Sequence, residues 1–320
     1  MNPPRRVVSL IASSTEMVCA LGCGDRLVGR SHECDHPGWV RRLPAVTAPK
    51  FATDGHSYDI DQRVRAIVEQ GVSVYAVDAP ALTALAPDVI LTQTQCEVCA
   101  VSARDLEEAA CALMPSQPRI VALEPNAIAD LWRDFERIAE ALDVVPRGAA
   151  VIGALRERMD VIAAHAASLR HRPRVACIEW IDPLMVAGNW TPELIALAGG
   201  EDVLGTPGTH APRLAWEALA AADPDVVLVT PCGFGLDRIR TEMEPLEMHS
   251  EWNALRAVRA GEVYLGDGNA YFNRPGPRVV ETLEIIAEIL HPHAFTFGHE
   301  GTGWQRHDPL RSGTSCRSHG

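Results

Sequence analysis

The sequence predicts an α/β protein of two Rossmann-like lobes joined by a long helix. Segments of residues 1–125 return in the same order in residues 172–295, which indicates one structural unit used twice. The residues between them, 126–171, place apolar side chains three and four positions apart, the spacing of an amphipathic helix. Short apolar runs alternate with helical stretches in each half, so we expect mainly parallel sheets.

The repeat extends to the amino-acid sequence of the segments. Residues 20–29 read ALGCGDRLVG and return at 196–205 as ALAGGEDVLG. Residues 86–92 read APDVILT and return at 223–230 as DPDVVLVT. Each half also opens on a short apolar strand and closes on a β-rich run. Two unrelated α/β units would share this spacing but would have fewer matching residues.

The first lobe, residues 1–125, begins with a strand at 7–11, a polar turn at 13–16 and a helix at 17–21 that Gly22 ends. Ser13 or Ser14 is expected to cap this helix. The remaining predicted elements are a loop at 31–37, a Pro/Gly-rich insertion at 44–59, a helix at 60–70, strands at 72–77 and 89–92, a loop at 93–100, a helix at 102–113 and a strand at 120–123.

The connector, residues 126–171, is predicted to hold two helices separated at Pro146 and Gly148. The first helix covers 127–142. The second carries an apolar stripe formed by Ile152, Leu155, Met159, Ile162, Ala166 and Leu169. Because the segment has no Ser/Gly run, we expect it to form a stiff strut.

The second lobe, residues 172–295, repeats the alternation of strands and helices. Pro192 is expected to open a helix that Gly199 closes. The other predicted elements are strands at 175–178, 226–230 and 263–265 and helices at 216–222 and 277–290. The tail, residues 296–320, is rich in Gly, Ser and His, so we expect it to be disordered.

Composition narrows the partners and the compartment. The net charge is -13 and the basic residues are scattered, which argues against nucleic acid or an anionic membrane as partner. No apolar leader opens the sequence and no run is long enough to span a bilayer, so we expect a cytoplasmic protein, or a periplasmic one if a leader is missing. Nine cysteines, an odd number, suit a reducing compartment.

The candidate ligand site lies where polar and aromatic residues follow the predicted strands. In open α/β sheets, ligands bind beyond the carboxyl ends of the strands. Aromatic side chains at those positions indicate a large, flat, partly apolar ligand. The candidate ligand-binding residues are Ser14, His36, Gln95, Trp180, Trp190, His210, Tyr271, Phe272 and Arg274.

Thiol and imidazole groups are concentrated in two loops of the first lobe. His32 and Cys34 lie in one loop, and Cys96 and Cys99 form a CxxC pair in the other. Zinc prefers these ligand types, so the four residues are a candidate zinc site of structural role. Two other interpretations stay open: loop thiols without a metal, or a thioredoxin-like redox pair. The sequence has no nucleophile elbow, phosphate-binding glycine loop or HExxH motif, and we expect no enzymatic activity.

Four segments carry a resemblance to a known family. Residues 8–16 (VSLIASSTE), 86–92, 196–205 and 269–275 (NAYFNRP) resemble the cobalamin-binding substrate-binding proteins of ABC importers, over about residues 5–291. The resemblance implies the helical-backbone periplasmic-binding-protein fold, with a corrinoid in the cleft between the lobes. It carries over four aromatic contacts, Trp180, Trp190, Tyr271 and Phe272.

The resemblance also implies a permease partner. Members of the family display one acidic residue on each lobe to meet arginines of the ABC permease. Glu217 stands at the second-lobe position, whereas Pro80 stands at the first-lobe position. Members are exported, but this chain opens without a leader, and its Cys-rich loops look like those of a leaderless branch.

The sequence therefore predicts a non-catalytic binding protein for cobalamin or a related corrinoid. One alternative is a metal-binding or redox protein that uses the Cys/His loops. Another is an importer subunit for a siderophore-type or haem-type ligand. Zinc is the candidate second cofactor; without it, a thiolate or imidazole of these loops could approach the bound cobalt.

Overall fold

The computed structural model describes residues 5–69, 74–94 and 117–308, and these form two α/β units. Unit 1 consists of Met1–Gly55, Asp59–Glu157 and Pro275–Pro277, and unit 2 of His56–Tyr58, Arg158–Arg274 and Arg278–Gly320. The division falls inside the predicted connector. In the described ranges, no helix has both the length and the apolar character needed to cross a membrane.

Unit 1 is built on a parallel sheet in the order β2-β1-β5-β6. Its strands are β1 (Val7–Ser9), β2 (Leu27–Arg30), β5 (Val89–Gln93) and β6 (Arg119–Leu123). A separate antiparallel pair is formed by β3 (Thr47–Pro49) and β4 (Tyr75–Val77). The apolar runs of β1 and β5 are buried, and Val8, Leu82 and Ile90 are fully enclosed members of one core cluster.

The described helices of unit 1 include α1 (Ala12–Ala20), α2 (Ser57–Val68), α3 (Ala79–Ala84) and α4 (Ile128–Ala141). The predicted polar turn at 13–16 is wrong, because these residues form the first turns of α1. The predicted serine cap is also wrong: Ile11 is the N-cap residue and no side chain caps the helix. The Ser14 hydroxyl instead donates to the carbonyl of Ile11, the local bond that Ser can make inside a helix.

The connector contains α4 and the 24-residue α5 (Val145–Ser168). Pro146 and Gly148 do not separate the two helices as predicted. Pro146 lies in the first turn of α5, where a missing N–H costs no helical hydrogen bond. The chain turns instead just before it, where Asp143 has a positive φ of 57°. The apolar stripe is confirmed at Ile152, Met159, Ile162 and Ala166, which are buried.

Unit 2 is built on a sheet in the order β12-β11-β10-β7-β8, with β9 also paired to β7. The strands are β7 (Arg174–Trp180), β8 (Met185–Val186), β9 (Glu201–Asp202), β10 (Val226–Val229), β11 (Val263–Gly266) and β12 (Trp304–Arg306). The central strands β7, β10 and β11 run parallel, and β12 runs antiparallel to β11. The expected dominance of parallel strands therefore holds in both large sheets.

The helices of unit 2 include four that the sequence did not predict. The predicted ones are α6 (Thr191–Leu197), α7 (Trp216–Ala222) and α12 (Val279–Leu290), and the unpredicted ones are α8 (Leu236–Thr241), α9 (Glu244–Glu247), α10 (Ser250–Ala254) and α11 (Arg256–Ala260). The unpredicted helices have four to six residues, too few for a 3.6-residue periodicity to be recognised. The predicted disorder of the tail is wrong for residues 296–308, since these include β12.

The repeat recurs in the backbone. Ala86 and Asp223, the matching first residues of the two copies, both have a positive φ, 43° and 37°. Asp88 and Asp225 are also equivalent: the N–H of Asp88 donates to Arg6 O at 2.8 Å, and that of Asp225 donates to Arg174 O at 2.8 Å. Each aspartate thereby ties the repeated strand to the first strand of its unit.

Candidate functional site

The carboxyl ends of β7 and β10 bring two aromatic rings together in unit 2. Trp180 is the last residue of β7, and its ring centroid lies 5.3 Å from that of Phe234, in the loop after β10. The guanidinium of Arg238, in α8, lies 3.8 Å above the Phe234 ring. Trp180 and Arg238 are half-buried, so both keep part of their surface accessible at this edge. An aromatic pair covered by a cation can hold a flat ligand and an anionic group beside it.

The loop after β11 supplies the third aromatic side chain. Asp267 accepts hydrogen bonds from the N–H groups of Asn269 (2.9 Å) and Ala270 (2.7 Å), which starts a π-helical turn over Gly268–Phe272. Tyr271 lies in this turn and is half-buried. The guanidinium of Arg278 lies 5.2 Å from its ring centre.

The loops after β10 and β11 are joined to each other. The N–H groups of Gly268 and Asn269 both donate to Phe234 O, at 3.0 and 3.2 Å, and the Asn273 side chain donates to Thr230 O at 2.8 Å. Gly268 permits this approach, because a Cβ there would overlap Pro231 O. The aromatic edge of unit 2, which we define as Trp180, Phe234, Arg238, Tyr271 and Arg278, is therefore held on a cross-linked backbone.

Asp267 lies at the start of the turn that carries Tyr271. Burial raises the pKa of Asp267, although its hydrogen bonds from Ala270 and Asn269 and the charges of Arg274 and Arg278 act in the opposite direction. The carboxyl group is committed to its own loop by the two N–H bonds.

Three of the predicted ligand residues are interior residues of unit 2. Trp190 and Phe272 are 6% and 1% exposed, and Arg274 is 5% exposed. The Trp190 indole donates to Phe272 O at 3.3 Å, and the Phe272 ring packs on Gly266. Their burial makes them supports of the β11 loop, and their contact with a ligand stays a prediction. His210 is exposed in the loop before α7, with Nδ1 3.2 Å from Ala211 O.

The sequence reasoning missed Phe234, Arg238 and Arg278. Phe234 and Arg238 follow β10, the second copy of the repeated strand. The sequence predicts site residues in the loop after the first copy, and the repeat indicates an equivalent loop here. Cys232, an exposed thiol in that loop, was also missed.

The carboxyl edge of unit 1 is made of small polar groups. The Ser14 hydroxyl lies 2.7 Å from Ser9 Oγ, and the Thr15 hydroxyl lies 2.7 Å from Ser9 Oγ and 3.0 Å from Cys34 Sγ. All four side chains are buried, with at most 1% exposure. Ser14 therefore supports the edge from inside, and its contact with a ligand stays a prediction.

His32 is held by a chain of hydroxyl groups. Its Nδ1 lies 2.7 Å from Thr47 Oγ1, which also accepts the backbone N–H of His32 and lies 3.0 Å from Ser31 Oγ. Its ring centroid lies 5.1 Å from that of Tyr75. Burial is the main reason that the pKa of His32 is lowered, so the neutral imidazole is favoured. His36 is exposed and precedes a cis peptide bond to Pro37.

The sequence profile of the family described as periplasmic binding protein matches residues 7–270. The chain belongs to this family. Curated relatives include a vitamin B12-binding protein of Vibrio parahaemolyticus, 24% identical over 90% of this chain and 89% of its own length. Another is an uncharacterized ABC transporter substrate-binding lipoprotein of Bacillus subtilis, YvrC, 20% identical over 91% of this chain and 82% of its own length.

Solved structures of periplasmic binding proteins share the fold. A periplasmic heme-binding protein from Pseudomonas aeruginosa aligns with a TM-score of 0.68 at 23% identity, covering 91% of this chain and 94% of its own. The periplasmic vitamin B12-binding protein BtuF of Vibrio cholerae aligns with a TM-score of 0.64 at 19% identity, covering 90% and 97%. Both the family resemblance and the fold class predicted from the sequence are thereby confirmed.

The names of the relatives concern the cellular compartment of these proteins, and they say nothing about a metal site. The two solved structures are named as periplasmic proteins and the Bacillus subtilis relative as a lipoprotein, so the expected cytoplasmic location has no support from them. Gln95, Cys96 and Cys99 lie outside the described residues. Among the residues that are described, no three His, Cys, Asp or Glu side chains are placed to hold a metal ion. The four-ligand zinc site with His32 and Cys34 stays a prediction.

The predicted docking acid is accessible. Glu217 is exposed in the first turn of α7, next to Trp216, whose ring stacks on His249 at 3.9 Å. In unit 1, Pro80 lies at the matching position in the first turn of α3. The exposed residue that precedes α3, Asp78, uses its carboxylate to cap that helix through Ala81 N–H at 2.9 Å.

Proposed function

We propose that this protein is a non-catalytic, periplasmic substrate-binding protein for cobalamin or a related corrinoid. The observation that carries the proposal is the aromatic edge of unit 2, taken with relatives that are named as vitamin B12-binding proteins. Trp180 and Tyr271 are the proposed contacts with the macrocycle. His36, Gln95 and His210 remain proposed polar contacts.

The composition of the edge suits such a ligand. A corrinoid presents a broad, partly apolar ring with amide groups and one phosphate at its periphery. Trp180 and Tyr271 are half-buried aromatic side chains that can pack against the ring. Arg238 lies over the Phe234 ring and Arg278 over the Tyr271 ring, and each guanidinium can donate to a phosphate or a carbonyl oxygen.

Haem is the second candidate ligand. It is also a broad planar macrocycle, and its two carboxylates suit the same arginines. The specific observation in its favour is the likeness to the heme-binding protein from Pseudomonas aeruginosa, which has the higher TM-score of the two alignments described above. The two candidates differ in charge, because haem carries two anionic groups and cobalamin one.

An absorbance titration separates the candidates. Purified protein would be titrated with cyanocobalamin and, separately, with haemin, and binding would be followed by difference spectra in the visible range. We expect a saturable change with cyanocobalamin at one ligand per chain and weaker binding of haemin. Tighter binding of haemin would favour the second candidate, and the absence of a spectral change with either would refute the proposed function.

We also propose that Glu217 contacts an ABC permease. The residue is exposed and acidic, so it can meet an arginine of a partner. Glu217→Gln should leave ligand affinity unchanged and lower the stimulation of transporter ATPase activity in proteoliposomes. Glu244→Gln, at another exposed glutamate of unit 2, is the matched control. Equal stimulation by both variants would argue against docking at Glu217.

A further inference from the structure

The C-terminal strap, residues 297–307, lies beyond the part of the chain that matches the family profile, which ends at residue 270. Its strand β12 pairs with β11, with Gly266 opposite Trp304. Asp267, the next residue after β11, donates its N–H to Gly303 O at 2.9 Å. The strap therefore holds the first residue of the loop that presents Tyr271.

A buried carboxylate fixes the strap to α12. Glu288, which is 5% exposed, accepts hydrogen bonds from the N–H groups of Phe297, Gly298 and His299 and from the Trp304 indole. Burial alone would raise the pKa of Glu288, but these four bonds outweigh it and lower the pKa. The carboxylate satisfies three consecutive backbone donors that would otherwise lack partners.

His299 connects the strap to Tyr271. Its Nε2 lies 2.9 Å from Glu284 Oε2, and the other oxygen of Glu284 accepts from Arg158 at 2.8 Å. Its ring centroid lies 6.2 Å from that of Tyr271, with the two planes at 64°. This edge-to-face arrangement is favourable for two rings and restricts the rotation of both.

We propose that His299 is a positioning residue of the ligand site. Held by Glu284 on one side, it keeps the Tyr271 ring in the orientation that packs against the ligand. The strap is thus part of the binding site without touching the ligand. The inference rests on the proposed function, since it requires Tyr271 to contact the ligand.

A double-mutant cycle tests this coupling. Affinity for cyanocobalamin would be measured for His299→Ala, Tyr271→Ala and the double variant. His299→Ala should weaken binding roughly threefold to tenfold, the range that an aromatic pair contributes. In the Tyr271→Ala background, the same change should have no further effect. His299→Phe keeps a ring against Tyr271 and should restore most of the affinity.

His307→Ala is the matched control. His307 also belongs to the strap and also binds a glutamate, with Nε2 2.8 Å from Glu247 Oε1. It should lower thermal stability as much as His299→Ala does and leave the affinity near that of the wild type. An equal loss of affinity in both histidine variants, or additive losses in the double variant, would overturn the positioning role alone. A wild-type protein that does not bind cyanocobalamin would overturn the proposed function and this inference together.

Discussion

β5 of unit 1 and β10 of unit 2 are two copies of one strand, yet the edges above them differ. Both copies begin after a residue with positive φ, and both are buried along their length. The edge of unit 1 is a network of small hydroxyl groups around Ser9. The edge of unit 2 carries large aromatic rings and arginines.

The comparison separates the frame from the site. The frame is specified by apolar runs and by the aspartates that tie each repeated strand to its neighbour. The loops that follow the strands determine which side chains each edge presents. In unit 1, the hydroxyl groups of Ser14 and Thr15 both bond to Ser9 inside the unit. Unit 2 instead leaves part of its aromatic surface accessible and fixes it with the strap.

The largest effect is expected from Gly268→Ala. The new methyl group would overlap Pro231 O and lie 2.8 Å from Thr230 O, so the loops after β10 and β11 must move apart. We expect a loss of roughly 2–4 kcal/mol in the free energy of unfolding, measured by urea denaturation. Gly235→Ala is the control in the same loops, because the nearest atom to its methyl group would be 3.7 Å away. Equal stability of the two variants would contradict the cross-linked edge.

The next effect is expected from Trp180→Ala. Removing this half-buried ring takes away an aromatic surface beside Phe234, so binding of cyanocobalamin should weaken by roughly 1–3 kcal/mol. Isothermal titration calorimetry measures the change. Trp216→Ala is the matched control, because this half-buried tryptophan of unit 2 stacks on His249. Unchanged affinity in Trp180→Ala would remove the ring from the site.

A smaller effect, on stability, is expected from Ser14→Ala at the edge of unit 1. The substitution removes hydrogen bonds to Ser9 Oγ and Ile11 O, so we expect a loss of about 1 kcal/mol in the free energy of unfolding. Ligand affinity should not change, because Ser14 is fully buried. A selective loss of affinity with unchanged stability would support a contact between Ser14 and the ligand.

Arg238→Gln should have a smaller effect on binding. Its guanidinium is half-buried and partly screened, so we expect a loss of less than about 1 kcal/mol in ligand affinity, with reduced salt dependence. Arg240→Gln, on the same helix, is the control because that arginine pairs with Asp237 and Gln305. Affinity titrations at low and high salt would measure both. The same salt dependence in both variants would argue against a role for Arg238.

The smallest expected effect is the contribution of Glu288 to the loss of stability at low pH. The folded-state pKa of Glu288 is below its ordinary value of 4.5, so its contribution to stability is present above that pH and is lost as the pH falls through the folded-state pKa. The melting temperature should therefore decline on acidification below pH 4.5, and part of that decline should be absent in Glu288→Gln. Glu244→Gln, at an exposed glutamate, should keep the wild-type profile. A wild-type profile in Glu288→Gln would argue against an ionised strap anchor.

Local patterns were sufficient for the frame. The repeat shows directly in the matching residues at 86–92 and 223–230. The apolar stripe of α5 depends only on periodicity within one segment, which the sequence also displays. The same patterns predicted the parallel strands and the helix at Trp216–Ala222. They also placed the candidate residues after strands, because every strand of a parallel sheet has its carboxyl end at the same edge.

Only the tertiary structure decided which of these residues stay accessible. Trp180 and Trp190 lie only ten positions apart, at and after the end of the first strand of unit 2. Trp190 is buried against the β11 loop, whereas Trp180 is half-exposed. The composition of the strap predicts disorder. Composition does not reveal its partner Glu288, because that residue lies on another element. Burial and buried hydrogen bonds depend on groups distant in sequence, and those distances exist only once the chain has folded.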